Sequence, residues 1–126
     1  MDLNGLKKAN DEQGHEAGDE LIIGAADCMK KVLTPYGNVY RVGGDEFMAI
    51  LYHDIDDWPD ILQRLKESFN GWSGKLVKNL SVAIGCANNH EGSYNSLNDM
   101  VSVADQEMYK DKAAFYYRAG IDRRRR

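Results

Sequence analysis

The stretch NVYRVGGDEFMAILY, residues 38 to 52, places two glycines and two acids between two runs of strand-forming residues. A Gly-Gly pair between such runs predicts the turn of a β-hairpin, because glycine reaches φ > 0 without a Cβ clash. Asp45 and Glu46 are then held beside the turn, where the backbone of Gly43 and Gly44 is open to close approach. The pattern fits either an exposed turn with solubilising acids or carboxylates presented to a divalent metal and a phosphate.

The bulk composition predicts one domain, residues 1–122, followed by an arginine tail, residues 123–126, in a chain of 126 residues that is 43% hydrophobic. A net charge of -4 argues against a nucleic-acid-binding surface. No apolar run approaches the ~20 residues that span a bilayer, so we expect no membrane contact by this segment. Two cysteines without metal or disulfide spacing are typical of a reducing cytosol, so the predicted location is cytoplasmic.

Apolar periodicity predicts three helices. The first runs from about residue 18 to 34. The second lies in 56–72, with Asp57 or Trp58 as its cap, and the third in 96–117, with Ser96 and Asp99 as a capping pair and Leu97 on its buried stripe. The segment 75–87 reads as extended, most strongly from residue 80 to 86. The order helix, strand, strand, helix, strand, helix predicts an α+β sandwich, with helices that flank a central, mostly antiparallel sheet.

Four sequence blocks share an order that resembles the GGDEF-domain family, the diguanylate cyclases. They are DLNGLKKANDEQGHEAGDEL (2–21), YRVGGDEF (40–47), LSVAIGCA (80–87) and ADQEMYKDK (104–112). The resemblance covers nearly the whole chain and implies a nucleotidyl-cyclase-like, palm-type sandwich. It also implies a reaction, the condensation of two GTP molecules into cyclic di-GMP with loss of two pyrophosphates. Each domain would hold one GTP, and a second GGDEF domain would face it in a homodimer.

The resemblance also implies the site residues. The metal ligands would be Asp2, the Leu3 carbonyl, Asp45 and Glu46, which would hold Mg²⁺ or Mn²⁺. Asp45 and Glu46 would be catalytic, and Glu46 would bind metal or help to deprotonate the attacking hydroxyl. Asn10 and Asp19 would read the guanine edge. Lys7 and Lys112 would meet the β- and γ-phosphates, assisted by the backbone N–H of Leu6. Gly43 and Gly44 would lie under the triphosphate. Taken singly, Asp2 also fits a frayed terminal acid, and Lys112 fits a solvated helix face. Asn10 and Asp19 also fit helix and turn caps.

The chain departs from the family pattern at three places. The family's first helix and most of its first strand normally precede the position of Asp2. Tyr116 stands where the family usually has an arginine, and Thr34 and Gly37 replace the inhibitory R-x-x-D pair. We therefore expect Asp2 to be poorly placed. We also expect a chain that is marginally stable or pairs through an open sheet edge, with little cyclase activity. The alternative function is a catalytically inactive GGDEF-like module that binds GTP or a protein partner.

Overall fold

The computed structural model describes residues 1–52, 57–88 and 95–120. The strands and helices in these ranges follow the order β1 (Asp2–Leu3), α1 (Leu6–Gln13), α2 (His15–Leu33), β2 (Gly37–Arg41), β3 (Phe47–Leu51), α3 (Trp58–Gly71), β4 (Val82–Ala83) and α4 (Leu97–Ala119). The strands pair antiparallel, β2 with β3 and β1 with β4. The predicted α+β architecture is confirmed, and the arginine tail lies outside the described residues.

The hairpin of β2 and β3 is confirmed, but the reason given for its turn was wrong. Neither Gly43 nor Gly44 has a positive φ. The strands are joined by the loop 42–46, in which the N–H groups of Val42 and Gly43 donate to the Glu46 carbonyl at 3.0 and 3.3 Å. The Arg41 guanidinium braces the same loop, because it donates to the carbonyls of Gly43 and Gly44 at 3.2 and 2.9 Å. Backbone and side-chain hydrogen bonds therefore shape this loop without left-handed glycines.

The short strand β1 lies between the hairpin and β4. On the hairpin side the Leu3 N–H donates to the Asp45 carbonyl, and the Phe47 N–H donates to the Met1 carbonyl, both at 2.8 Å. On the other side β1 pairs with β4. Asp2 is 0% exposed. The expectations of a frayed or poorly placed Asp2 were wrong, because two neighbouring strands hydrogen-bond this segment from both edges.

Helix α1 was not predicted, because the apolar periodicity of the sequence indicated a first helix only from about residue 18. The chain is already helical from Leu6 and breaks at Gly14, which has φ 87°. Helix α2 then starts at His15. Only one buried apolar residue, Ala9, lies on α1, so the apolar stripe that reveals a helix is absent there. The extended segment 75–87 contributes only Val82–Ala83 as a strand.

The two later helices start where their capping residues predicted. Asp57 precedes α3, and the Ser96 hydroxyl accepts the Asp99 N–H at 3.2 Å ahead of α4. Leu97 does not belong to the buried stripe of α4, since 60% of it is exposed in the first turn. The buried positions of α4 follow at spacings of four, which places them on one face toward β1 and β4: Met108, Lys112 and Tyr116.

Helix α2 supplies most of the core. Its buried face packs on α3, and the apolar residues involved include Leu21, Ala25, Met29 and Leu33 of α2 with Ile61, Leu65 and Phe69 of α3. This core lies on the side of the hairpin that carries Phe47. In the described ranges no helix is long and apolar enough to cross a membrane.

The contact between Gly24 of α2 and the Trp72 indole tests this packing. A Cβ at Gly24 would overlap the indole ring, whereas a Cβ at Gly71 would meet no atom within 4 Å. We expect Gly24→Ala to lower the free energy of unfolding by about 1–3 kcal/mol through overpacking. Urea denaturation followed by tryptophan fluorescence measures the change, with Gly71→Ala as the matched control. Equal stability of the two variants would contradict the packing described.

Candidate active site

Three carboxylates meet at the end of the sheet. Oxygen atoms of Asp2, Asp45 and Glu46 lie within 4.8 Å of one another. Asp2 comes from β1, and the other two come from the loop that leads into β3. An antiparallel bridge between Asp2 and Glu46 and the hydrogen bond from the Leu3 N–H to the Asp45 carbonyl hold these segments together. The backbone therefore brings together residues that are far apart along the chain, and we call them the carboxylate cluster.

The carboxylate cluster fits a divalent cation such as Mg²⁺ or Mn²⁺. Such ions take carboxylate and carbonyl oxygens, and three acids on hydrogen-bonded backbone provide these at short separations. Asp2 is fully buried, while Asp45 and Glu46 are half-buried, so the cluster is enclosed on the side of β1 and open on the side of the loop. Three negative charges this close repel one another unless a cation lies among or beside them.

Lys112 reaches the same place from α4. Its side chain is 0% exposed, its Nζ donates to the Leu3 carbonyl at 2.8 Å, and it lies 3.3 Å from Asp2 Oδ1. A solvated helix face is therefore the wrong description of Lys112. The structure places its ammonium on two of the predicted metal ligands, whereas the family resemblance implies contacts with the β- and γ-phosphates.

Tyr116 lies one helical turn after Lys112, at the position where the resembled family usually has an arginine. It is 4% exposed, and its hydroxyl accepts the Gly5 N–H at 3.3 Å. Its ring centroid lies 5.5 Å from Lys112 Nζ, within the range of a cation–π contact. The i, i+4 spacing of Lys112 and Tyr116 could have revealed this pair in the sequence.

The two predicted guanine-reading residues lie on neighbouring helices. Asn10 is inside α1, and its carboxamide packs against Gly18 of α2 so closely that a Cβ there would overlap it. Within the described part of the chain, the buried Oδ1 of Asn10 has no hydrogen-bond partner. Asp19 follows Gly18 directly and is exposed. Neither side chain caps α1 or α2, whose N-caps are glycines without a side-chain hydrogen bond.

The remaining predicted residues lie at the start of α1 and in the hairpin loop. Gly5 precedes α1 in a left-handed conformation, φ 75°, so Leu6 and Lys7 form the first turn of the helix. Lys7 is exposed, as is Gly44. A Cβ at Gly44 would meet no atom within 4 Å, and one at Gly43 would make only ordinary contacts with Glu46. Only Asn4 and Gly5 separate β1 from α1, so the first turn of the helix follows Asp2 closely along the chain.

A groove of about 670 Å³ lies along α2, and its lining includes the predicted guanine-reading residue Asp19 together with Trp72 and Lys75. The Glu20 carboxylate shapes one wall, since it accepts the N–H groups of Leu76 and Val77 at 3.0 and 2.9 Å. The hydrogen bond from Val77 is the main cause that lowers the pKa of Glu20. The groove contains none of the carboxylate cluster, so we place the candidate active site at the cluster on the strength of its donor geometry.

Comparisons with known proteins identify the family of this chain. Residues 1–116 match the family described as diguanylate cyclase, GGDEF domain. A probable diguanylate cyclase of Escherichia coli, DgcI, is 34% identical over 113 residues, which cover 89% of this chain and 24% of that protein. The chain thus spans about a quarter of the length of this relative.

Two solved structures share the fold. The diguanylate cyclase SiaD of Pseudomonas aeruginosa, in complex with its activator SiaC, superposes with a TM-score of 0.74 at 23% identity, over 90% of this chain and 44% of SiaD. A sensory box/GGDEF family protein of Caulobacter crescentus gives 0.68 at 24% identity, over 90% of this chain and 75% of that protein. Motif order, a family match along almost the whole chain and a shared fold lead to one conclusion: the chain belongs to the GGDEF-domain family of diguanylate cyclases.

Proposed function

We propose that this chain is a catalytic domain that condenses two GTP molecules into cyclic di-GMP and two pyrophosphates. The observation that carries the proposal is the carboxylate cluster, in which Asp2, Asp45 and Glu46 lie within 4.8 Å of one another. Phosphoryl transfer requires charge neutralisation at the phosphates and a positioned hydroxyl, and divalent metal ions held by clustered carboxylates would serve both needs. The order of the family's motifs along the chain supports the choice of reaction.

In the proposed reaction the 3′-hydroxyl of one GTP attacks the α-phosphorus of the other, and pyrophosphate leaves as the new P–O bond forms. Asp2, Asp45 and Glu46, with the Leu3 carbonyl, would hold Mg²⁺ or Mn²⁺. When bound, the metal supplies charge neutralisation at the phosphates and activation of the attacking hydroxyl. Glu46, half-buried beside the loop, is either a ligand or the group that accepts the hydroxyl proton.

The start of α1 and the hairpin loop would bind the phosphates of GTP. Helix N-termini present backbone N–H groups to anions, and Leu6 and Lys7 lie in the first turn of α1. Lys7 adds a point charge for the β- and γ-phosphates. Gly43 and Gly44 offer a loop surface without side chains, over which a triphosphate passes. Lys112 joins these groups once its ammonium leaves Asp2.

Base recognition falls to Asn10 and Asp19. The Asn10 carboxamide Oδ1 is a buried acceptor with no partner among the described residues, which suits a donor on a ligand. Guanine offers N1–H and an exocyclic amine on one edge, and adenine does not present that pair. Asp19, exposed on α2 next to Gly18, supplies the carboxylate acceptor. We infer GTP as the substrate, which places the domain in the cytoplasm.

A second GGDEF domain completes the reaction, since each domain holds one nucleotide and two must face each other. A second candidate function also has an observation in its favour. Tyr116 stands in place of the family's arginine, and its hydroxyl accepts the Gly5 N–H beside the first turn of α1. A chain that binds GTP without condensing it, or that binds only a protein partner, fits this substitution.

Loss of the Asp45 carboxylate tests the catalytic proposal. We expect the protein to synthesise cyclic di-GMP from GTP with Mg²⁺ or Mn²⁺. Asp45→Ala should reduce this synthesis by more than the roughly 10- to 100-fold that loss of an outer-shell partner costs a metal site. Chromatography of the products measures the rate. Glu67→Ala, at an exposed position of α3, is the control. Undiminished synthesis by Asp45→Ala would refute the metal assignment.

Discrimination between GTP and ATP tests Asn10 and Asp19. A site built to hydrogen-bond one base edge leaves its own polar groups unpaired with another base, so we expect GTP to bind roughly a hundredfold or more tighter than ATP. Gly18→Ala should displace the Asn10 carboxamide and weaken GTP binding, while Gly71→Ala should not. Calorimetry with both nucleotides in the presence of Mg²⁺ measures the affinities. Equal affinities for GTP and ATP would remove the base-reading role from these residues.

A further inference from the structure

The Lys112 ammonium contacts two oxygen atoms that the proposed function assigns to a metal ion. Its Nζ lies 2.8 Å from the Leu3 carbonyl oxygen and 3.3 Å from Asp2 Oδ1, and both side chains, Lys112 and Asp2, are 0% exposed. Buried charges of this kind persist only when they are paired and hydrogen-bonded. The ammonium therefore acts as a built-in cation for the deepest member of the carboxylate cluster.

Tyr116 determines where that ammonium lies. Its ring supports Lys112 Nζ at 5.5 Å from the centroid, and its hydroxyl accepts the Gly5 N–H at 3.3 Å. Phe115 packs edge-on against the ring, with centroids 5.3 Å apart. A buried ring fixed at its hydroxyl and at its edge has little freedom to rotate. An arginine at this position would repel Lys112 instead of supporting it.

We propose that Tyr116 is a positioning residue that holds Lys112 on Asp2 and Leu3, so that a divalent cation must displace the ammonium in order to bind. The proposal rests on the metal site of the proposed function. A cation at Asp2 and the Leu3 carbonyl and an ammonium on the same two oxygens repel each other, so the two are exchanged and not bound together. The displaced lysine is then available for the phosphates.

The hydroxyl of Tyr116 adds a second element of competition. The Gly5 N–H that it occupies directly precedes the first turn of α1, where the phosphates are expected. A ligand that takes this N–H must replace the tyrosine hydroxyl. Two residues one turn apart on α4 thus occupy both parts of the site: the ammonium of Lys112 contacts the metal ligands, and the hydroxyl of Tyr116 binds the Gly5 N–H.

Binding of Mn²⁺ in the absence of nucleotide tests the exchange. Electron paramagnetic resonance of free Mn²⁺ gives the affinity for this chain and its variants. We expect Lys112→Met, which keeps the aliphatic stem without the charge, to bind Mn²⁺ about tenfold more tightly, because the buried carboxylate then lacks its internal cation. Tyr116→Leu, which removes both ring and hydroxyl, should bind it between about twofold and tenfold more tightly, in line with the worth of a cation–π contact.

Matched controls lie on the same helix. Lys110→Met and Tyr117→Leu alter exposed residues and should leave Mn²⁺ affinity unchanged. Lys112→Arg keeps the positive charge and should bind Mn²⁺ no more tightly than the parent chain. Thermal unfolding provides a second measurement: without metal Lys112→Met should melt below the parent chain, and Mn²⁺ should raise its melting temperature by more. If Lys112→Met does not fold, Tyr116→Leu and Lys112→Arg still decide the question.

The outcomes separate this inference from the proposed function. If the parent chain, Lys112→Met and Tyr116→Leu bind Mn²⁺ equally while Asp45→Ala loses it, the exchange is refuted and the metal site stands. Weaker binding by Lys112→Met than by the parent chain would show that the lysine assists the cation, which also refutes the exchange. If the parent chain and every variant fail to bind Mn²⁺, the metal site and the exchange are both refuted.

Discussion

The site depends on the backbone hydrogen bonds that enclose β1. Residues at the very start of the described chain bond to the loop before β3 on one side and to β4 on the other. This pairing brings Asp2 beside Glu46 and directs the Leu3 carbonyl toward α4. Because only two residues form the strand, a small number of bonds sets the geometry of the whole carboxylate cluster. The pairing fixes the backbone of Asp2, and Lys112 of α4 lies against its buried carboxylate.

That burial creates an electrostatic requirement that α4 meets. A carboxylate taken fully out of water is costly unless a charge compensates it, and loss of one partner of a buried pair typically costs about 3–5 kcal/mol. Lys112 supplies the charge, and it is itself buried only because Asp2 and the Leu3 carbonyl receive it. The start of the chain and its last described helix are therefore coupled through this ion pair and through the hydrogen bonds from Lys112 to the Leu3 carbonyl and from the Gly5 N–H to Tyr116.

Family membership and activity are separate questions for this chain. The motifs that define the family are present in order, and three acids converge as a metal site requires. The ring of Tyr116 lies against the Lys112 ammonium, and its hydroxyl engages the Gly5 N–H just before α1. A member of the family can retain the metal ligands and still differ in how readily the site accepts cation and nucleotide.

The sequence by itself determined the local elements with strong signals. The hairpin followed from two strand-forming runs around a short turn. Helices α2, α3 and α4 followed from apolar stripes, and Asp57 and Ser96 also marked the starts of α3 and α4, because such signals act over one or two turns. Helix α1 lacked such a stripe, and the turn 42–46 was closed by hydrogen bonds that no glycine pattern reveals. The metal-site candidates Asp45 and Glu46 were also visible in the sequence, as members of a motif.

Only the tertiary structure decided the fate of Asp2, Lys112 and Tyr116. Whether a terminal acid is frayed or buried depends on segments 45–47 and 81–83, which no local pattern around Asp2 contains. Lys112 looked like a solvated or phosphate-binding lysine until β1 placed a carbonyl and a carboxylate within reach of its Nζ. The physical reason is that burial and charge pairing are set by contacts between distant segments, whereas helix and strand preferences are set by neighbours along the chain.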